Sequence, residues 1–442
     1  MRELWRNRTG FILATIGAAV GMGNIWRFAY VAGENGGGLF LLVYLVTVAA
    51  VGLPLVIAEL AVGKRGAADA VSAFGTLVPA GALRHAGWIG VFGAALILGY
   101  YSVIAGWALR YFVAAAVGSL WDGAADGFGG YFAQFIASPG APLGWQIAML
   151  AAAMFVVTGG VRRGIERLNA WLMPLLAVLL LALAGYAMSL PGAGAGVAFL
   201  LAPDWQAGLQ PRVVLAALGQ AFFSIGVGMA VYVTYGSYMG RTIRIPGSAL
   251  LVVAGDSLFA IVAGLAIFPA VFALGADPAA GPELAFITLP QVFLAMPGGQ
   301  VVGPLFFFLL SAAALTSMVS LLEVPVAVAV HRYRMARWPA ALLLGGAIFV
   351  AGLPAALSYG VLKGVTVAGL PLLDAEDYLV TNMLMPLSGL ALALVLGWRV
   401  ARGQALAMAE FRSGAIAALW RAALRWLVPL LILLAAGWAL VG

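Results

Sequence analysis

Eleven apolar runs follow one another along this chain, near residues 11–33, 38–62, 86–117, 146–160, 168–190, 212–239, 248–274, 300–330, 338–354, 377–398 and 416–440. A helix needs about 20 apolar residues to cross a bilayer. Inside hydrocarbon every backbone polar group must pair within the protein, so only helices and closed barrels can span. The runs are rich in Ala, Leu and Gly and lack long β-alternation, which makes them helices. Charged residues make up 9% of the chain, against roughly 25% in an average soluble protein. A soluble enzyme, a nucleic-acid-binding protein and a disordered scaffold are excluded together. The absence of cysteine excludes disulfides and thiolate metal sites, and the 2 histidines leave little for an imidazole metal centre. The first run leads into glycines and polar residues rather than a small-residue cleavage site, so it reads as a span and not a signal peptide.

Charge placement orients the spans. With the N-terminus in the cytoplasm, 19 of the 23 Lys and Arg residues fall on the inner side, among them Arg2, Lys64, Arg65, Arg162, Arg163, Arg334 and Arg337. Arg27, Arg110, Arg212 and Lys363 are left on the outer side. The positive-inside rule therefore predicts a multi-pass protein of the inner (plasma) membrane with the C-terminus outside. It also accounts for the net charge of +7 without a nucleic acid. Trp26, Trp88, Trp338, Trp398 and Trp438 lie near span ends and read as interfacial anchors.

Two spans violate their own rules. The first contains Gly21-Met22-Gly23-Asn24 and the sixth Ser224-Ile225-Gly226-Val227-Gly228. Each glycine costs a helix about 1 kcal/mol relative to alanine. Unwound backbone at membrane depth is tolerated only where it lines a cavity or is buried in protein. Paired interruptions at matching places in two halves point to a secondary transporter with inverted repeats. Broken ends offer N–H groups to an anion and free carbonyls to a cation. The expected organisation is a five-span repeat over 1–190, a second, inverted repeat over 191–402, and a loop with an eleventh span over 403–442. No Ser/His/Asp set, HExxH or metal cluster is evident, so no enzyme is expected.

The first break sits in a longer signature: Trp5, Gly10-Phe11-Ile12-Leu13-Ala14, Val20-Gly21-Met22-Gly23-Asn24-Ile25-Trp26-Arg27-Phe28 and Glu34-Asn35-Gly36-Gly37-Gly38. It resembles the opening of the neurotransmitter:sodium symporter family. The resemblance continues through Phe223-Ser224, Gly264 to Pro269, Leu315-Thr316-Ser317 and Asp377-Tyr378. Stopping at eleven spans resembles the bacterial branch that includes the multi-hydrophobic amino acid transporter. Ala29 departs from the family, which usually has proline there. The resemblance implies an all-α polytopic membrane protein of LeuT-like fold, with a 5+5 inverted repeat, discontinuous helices 1 and 6 and an eleventh helix. It implies sodium-coupled import of an amino acid by alternating access. A proton-coupled carrier of the same fold, with Glu323 or Asp256 as proton site, and a non-transporting channel or sensor stand as alternatives.

Site residues follow from the same resemblance. The substrate carboxylate is expected at the backbone of Met22 and Gly23, with the Tyr101 hydroxyl as a second donor. Gly21 stands where monoamine carriers have an aspartate, which implies a substrate bringing its own carboxylate. Ala18, Ala19, Ile97, Phe223, Ser224, Gly226, Met229, Ser317 and Leu321 complete the substrate pocket, whose apolar character implies a hydrophobic or aromatic side chain. One sodium ion maps onto Ala19, Asn24, Ser224 and Asp256, and a second onto Gly17, Val20, Ala313, Thr316 and Ser317. All offer oxygen, as a hard cation requires. Asp256 also stands out by itself, because an acid at mid-bilayer costs roughly 2.5–3.5 kcal/mol and is functional by default. Ala260 replaces the family's chloride-site serine, so chloride is not expected to be required.

Arg27 and Asp377 are implied as the outer gate, and Arg2 and Trp5 as an N-terminal inner latch. The latch's usual acid after the eighth span is missing at His331-Arg332, which leaves Arg2 to a carbonyl or to Ser237-Tyr238. Gly164 and Pro174 resemble a hinge motif in the fifth span. Glu59 is implied as a support for the unwound sixth span. The role of Glu323 is left open between a proton site and a partner for freed backbone groups.

Overall fold

The computed structural model describes residues 3–78, 80–122, 127–206 and 210–441. Arg2 and the Trp438 side chain lie outside the described residues. Nine continuous helices among the described residues are long and apolar enough to cross a bilayer, and a bent pair makes a tenth span. The sixth span supplies the eleventh as two pieces, Pro211–Ile225 and Val231–Ser237. All eleven apolar runs are thus helical. The fourth, the shortest by sequence, starts earlier than its apolar run, at Ala141, because Pro142 sits in the first turn, where proline's missing N–H costs nothing.

Spans 3 (Ala82–Ala116) and 8 (Gly299–Arg332) run alongside one another, and span 5 (Val161–Met188) packs on span 7 (Ile245–Ala273). Close approach needs small residues. At Gly106 an added Cβ would lie 2.8 Å from the Gln146 nitrogen of span 4, and at Gly63 it would lie 2.0 Å from the Val233 carbonyl of span 6. Outward faces carry exposed Phe155, Trp171, Val178 and Leu181, the surface that a bilayer covers. Short helices at Phe128–Ala137 and Thr288–Ala295 and a two-stranded antiparallel hairpin, Thr366–Val367 with Leu370–Pro371, fill the connections.

The two breaks form by different means. Span 1 bends by 53° between Arg8–Ala19 and Gly23–Glu34. The chain turns extended at Val20 (φ −70°, ψ 109°), so neither flanking glycine adopts a left-handed conformation. In span 6 the glycines themselves make the break: Gly226 has φ +77° and Gly228 φ +88°, a region open to glycine at little cost.

Trp26 departs from its expected place. Its ring packs 5.5 Å from Tyr30 and faces an interior cavity rather than the bilayer interface. Span 1 is a central, protein-enclosed helix, so a tryptophan near its end faces protein. Trp338 and Trp398 are exposed, as anchors are.

Candidate functional site

The breaks of spans 1 and 6 face each other at the centre of the protein. The Gln220 amide donates to the Gly23 carbonyl at 2.8 Å and so joins them. Glu59 of span 2, 2% exposed, accepts from the Gly228 N–H at 2.6 Å, satisfying a donor that the break in span 6 sets free. An unpaired buried N–H would cost about 1–3 kcal/mol.

Beside the first break lies a polar cluster. Asn24 donates to Asp256 Oδ1 at 2.7 Å and to Ser224 Oγ at 3.0 Å, and its own Oδ1 accepts from the Gly21 N–H at 3.0 Å. Ser224 lies 3.0 Å from Asp256 Oδ2, and the Tyr44 hydroxyl reaches the same oxygen at 3.3 Å. Asn24, Tyr44 and Asp256 are wholly buried. Three of the four groups expected for the first sodium ion, Asn24, Ser224 and Asp256, therefore come together, and Ala19 ends the helix just before the break. Tyr44 is an addition. Its only sequence signal is a tyrosine inside the apolar run of span 2.

A second oxygen group lies between spans 1 and 8. Thr316 Oγ1 lies 2.7 Å from the Ala313 carbonyl and 3.4 Å from that of Val20, while Ser317 Oγ lies 3.4 Å from the Ala18 carbonyl and 3.5 Å from that of Val20. Gly17 lies against span 5, where an added Cβ would sit 1.8 Å from Asn169 Oδ1.

Between these groups is a narrow cavity. It is lined by Ala18, Ala19, Gly21, Gly23, Ile97, Tyr101, Phe223, Gly226, Met229, Ser317 and Leu321, and also by Ile225, Val231 and Ser320. Met22 and Ser224 are not in that lining, but Met22 joins through its backbone: its N–H donates to the Tyr101 hydroxyl at 3.0 Å. A Cβ on Gly21 would lie 2.4 Å from Ser317 Oγ and 2.8 Å from the Tyr101 hydroxyl, so no side chain fits there without displacing both.

The model of the sodium:neurotransmitter symporter family matches residues 2–126 and 132–440. The chain belongs to this family. As a member it is a sodium-dependent symporter. The crystal structure of MhsT in complex with L-phenylalanine superimposes with a TM-score of 0.92 at 48% identity, covering 99% of this chain and 100% of that one. The architecture is thus the LeuT-like fold with discontinuous helices 1 and 6 and an added eleventh helix. YhdH, a sodium-dependent transporter of Bacillus subtilis, is 40% identical over 97% of this chain and 96% of its own length. A serotonin transporter of Drosophila melanogaster is 28% identical over 81% of this chain and 65% of its own.

Above the symporter's central cavity lies a larger one of about 410 Å³, lined by Trp26, Arg27, Tyr30, Tyr100, Tyr101, Phe223 and Asp377, among others. Phe223 and Tyr101 line both cavities and so stand between them. The Arg27 guanidinium lies 4.4 Å over the Phe223 ring and donates to Gln220 Oε1 at 3.3 Å. Asp377 accepts from the Tyr100 hydroxyl at 2.8 Å and from Thr381 at 3.1 Å. Arg27 and Asp377 therefore face one cavity while holding other partners.

The end that carries the N-terminal segment is more tightly joined. Trp5 is buried against Tyr235 and Tyr238, and its indole N–H donates to the Tyr235 carbonyl at 2.9 Å. Glu323, wholly buried, receives both Arg337 guanidinium nitrogens at 2.6 and 2.8 Å and the Tyr238 hydroxyl at 2.6 Å. The sequence singled out Glu323 but missed Arg337, which reads as one of many inner-loop cations. Gly164 lies in a π turn, Val161–Glu166, that opens span 5, and Pro174 lies within the following helix. A Cβ on Gly164 would meet the Val156 carbonyl of span 4 at 1.9 Å.

Proposed function

We propose that this symporter imports hydrophobic L-amino acids, aromatic ones included, across the inner membrane by alternating access, with its N-terminus in the cytoplasm and its C-terminus outside. The observation that carries the reading is the central cavity. Among the described residues its lining has no charged side chain, and the Met22 N–H and Tyr101 hydroxyl meet at its edge. Such a site suits a substrate with an apolar side chain and its own carboxylate. The solved relative MhsT holds L-phenylalanine, which agrees in chemical class.

Two sodium ions are proposed, one at Asn24, Ser224 and Asp256 with the Ala19 carbonyl, the other at Thr316 and Ser317 with the carbonyls of Gly17, Val20 and Ala313. The Asp256 carboxylate supplies fixed negative charge beside the first, so chloride is not required. Glu323 is held by Arg337 and Tyr238, which speaks against its serving as a proton site. The test is binding of each of the twenty amino acids to purified protein with and without sodium. Sodium-dependent binding of Leu, Phe, Tyr or Trp is expected. Sodium-independent, pH-dependent binding would support the proton-coupled alternative instead.

A further inference from the structure

We propose that Glu3 is the acid of the cytoplasmic latch, and that it couples release of the N-terminal tail to unwinding of the first turn of span 5. The inference rests on the alternating-access reading above. The sequence offers no acid at His331-Arg332 after span 8, but one arrives from the opposite partner. Glu3 Oε2 lies 3.1 Å from Arg337 Nη2. The latch therefore has its acid on the tail and its base on span 9.

The same oxygen has a second task. It accepts the Val161 N–H at 2.7 Å. Val161 is the first residue of span 5, and Gly160 before it has φ +75° and no side chain to cap the helix. The first N–H groups of a helix lack internal partners, and negative charge is favoured there. Glu3 is a cap delivered from elsewhere in the chain. Its neighbours bind the same turn: the Leu4 carbonyl accepts from Arg162 Nε at 2.7 Å, and the Arg6 N–H donates to Glu166 at 3.0 Å.

Burial decides where this assembly parts. The Glu323 side chain is fully buried and keeps its two-pronged bond to Arg337, whereas the Glu3 side chain is 42% exposed. Water can replace the partners of Glu3 and cannot replace those of Glu323. When Glu3 leaves, Arg337 loses one acid and Val161 loses its cap in the same step. The turn it leaves is already π-helical and contains Gly164, so it is poised to unwind. Opening of the tail and opening of span 5 are one event.

The chain has no cysteine, so a single introduced thiol reports without background. In full-length protein in liposomes, Ile165→Cys places it in the first turn of span 5, where the native side chain is wholly buried. Ile136→Cys places another on the outer cavity. Labelling of each by a methanethiosulfonate reagent is compared with Glu3 intact, Glu3→Gln and Glu3→Ala. Glu3→Ala should speed labelling at the inner position by about ten- to hundredfold, the factor that losing a hydrogen bond to a charged group corresponds to, and Glu3→Gln, which keeps an acceptor for Val161 but loses the charge, should speed it by less. They should slow labelling at the outer position, and sodium with bound amino acid should still suppress the inner reaction. Unchanged inner labelling overturns the proposal. Faster labelling at both positions, or loss of the sodium effect, also overturns it, because that marks general loosening. If the inner thiol does not respond to sodium and substrate even with Glu3 intact, alternating access fails, and the latch with it.

Discussion

The side-chain amide of Asn24 donates to Asp256 Oδ1 at 2.7 Å, joining the break in span 1 to the middle of span 7. This bond orients the amide oxygen back toward the Gly21 N–H, so the conformation of the break depends on an acid 232 residues away. With sodium at Asp256 and the substrate carboxylate at the break, as proposed above, the ion would act on the same backbone as the substrate. On that proposal sodium and substrate are linked through the shape of the break as well as through charge.

Replacing Asp256 by Ala should accordingly weaken sodium affinity and amino-acid binding together. Asp256→Asn keeps most of the hydrogen bonds and removes only the charge, so it isolates the electrostatic part. Each loss is expected at about 10–100-fold, the range for a hydrogen bond to a charged group. Sodium titrations monitored by substrate binding decide it; an unchanged sodium midpoint in Asp256→Ala contradicts the assignment.

Chloride replacement tests the same carboxylate from outside. Ala260 is wholly buried one helical turn from Asp256 and presents no hydroxyl. Sodium-driven uptake should persist when gluconate replaces chloride. A clear fall in uptake under gluconate would mean that Asp256 does not supply the compensating charge.

Glu59 gives a prediction about the second break. Its Oε1 pairs with the Gly228 N–H, and Gly228 cannot be replaced easily, since a Cβ there would meet the Met385 carbonyl at 2.5 Å. Glu59→Gln retains an acceptor and should bind substrate within a few-fold of the parent. Glu59→Ala leaves a buried N–H unpaired, which costs about 1–3 kcal/mol. Thermal melts of the two variants should separate by that amount, and equal melts would show that water or another group satisfies Gly228.

The spans were legible because membrane depth forces long apolar runs, and the breaks because glycine pairs are out of place there. Why glycine is needed was only half legible. At Gly226 and Gly228 it is the backbone angle, a property of the residue itself. At Gly21 it is the approach of Ser317 and Tyr101, which no local pattern records. The same limit hid Tyr44, whose run reads as plain apolar core, and Arg337, whose pairing with Glu323 depends on how spans 8 and 9 fold back on one another. Trp26 was misread because its position near a span end matches an anchor, while its enclosure by other spans is a tertiary fact.

Gly226 and Met229 bear on which amino acids fit. Gly226 has φ +77°, a conformation costing an ordinary L-residue roughly 1–2 kcal/mol. A Cβ there would lie 3.0 Å from Met229 Cε, the far end of a flexible side chain that lines the same cavity. Gly226→Ser therefore has two separable effects. The strain is present with or without substrate, so it lowers stability by about that amount and appears in the melting temperature. The displaced methionine takes volume from the cavity, so it appears in selectivity. Losing one or two methylene-sized groups of fit typically costs about 1–3 kcal/mol, or roughly 10–200-fold. Tryptophan should lose affinity within that range while leucine changes much less. Competition binding with both amino acids, read beside the melts, tests this. If tryptophan and leucine lose affinity equally, Gly226 serves only the backbone of the break, and span 6 does not set substrate size at this position.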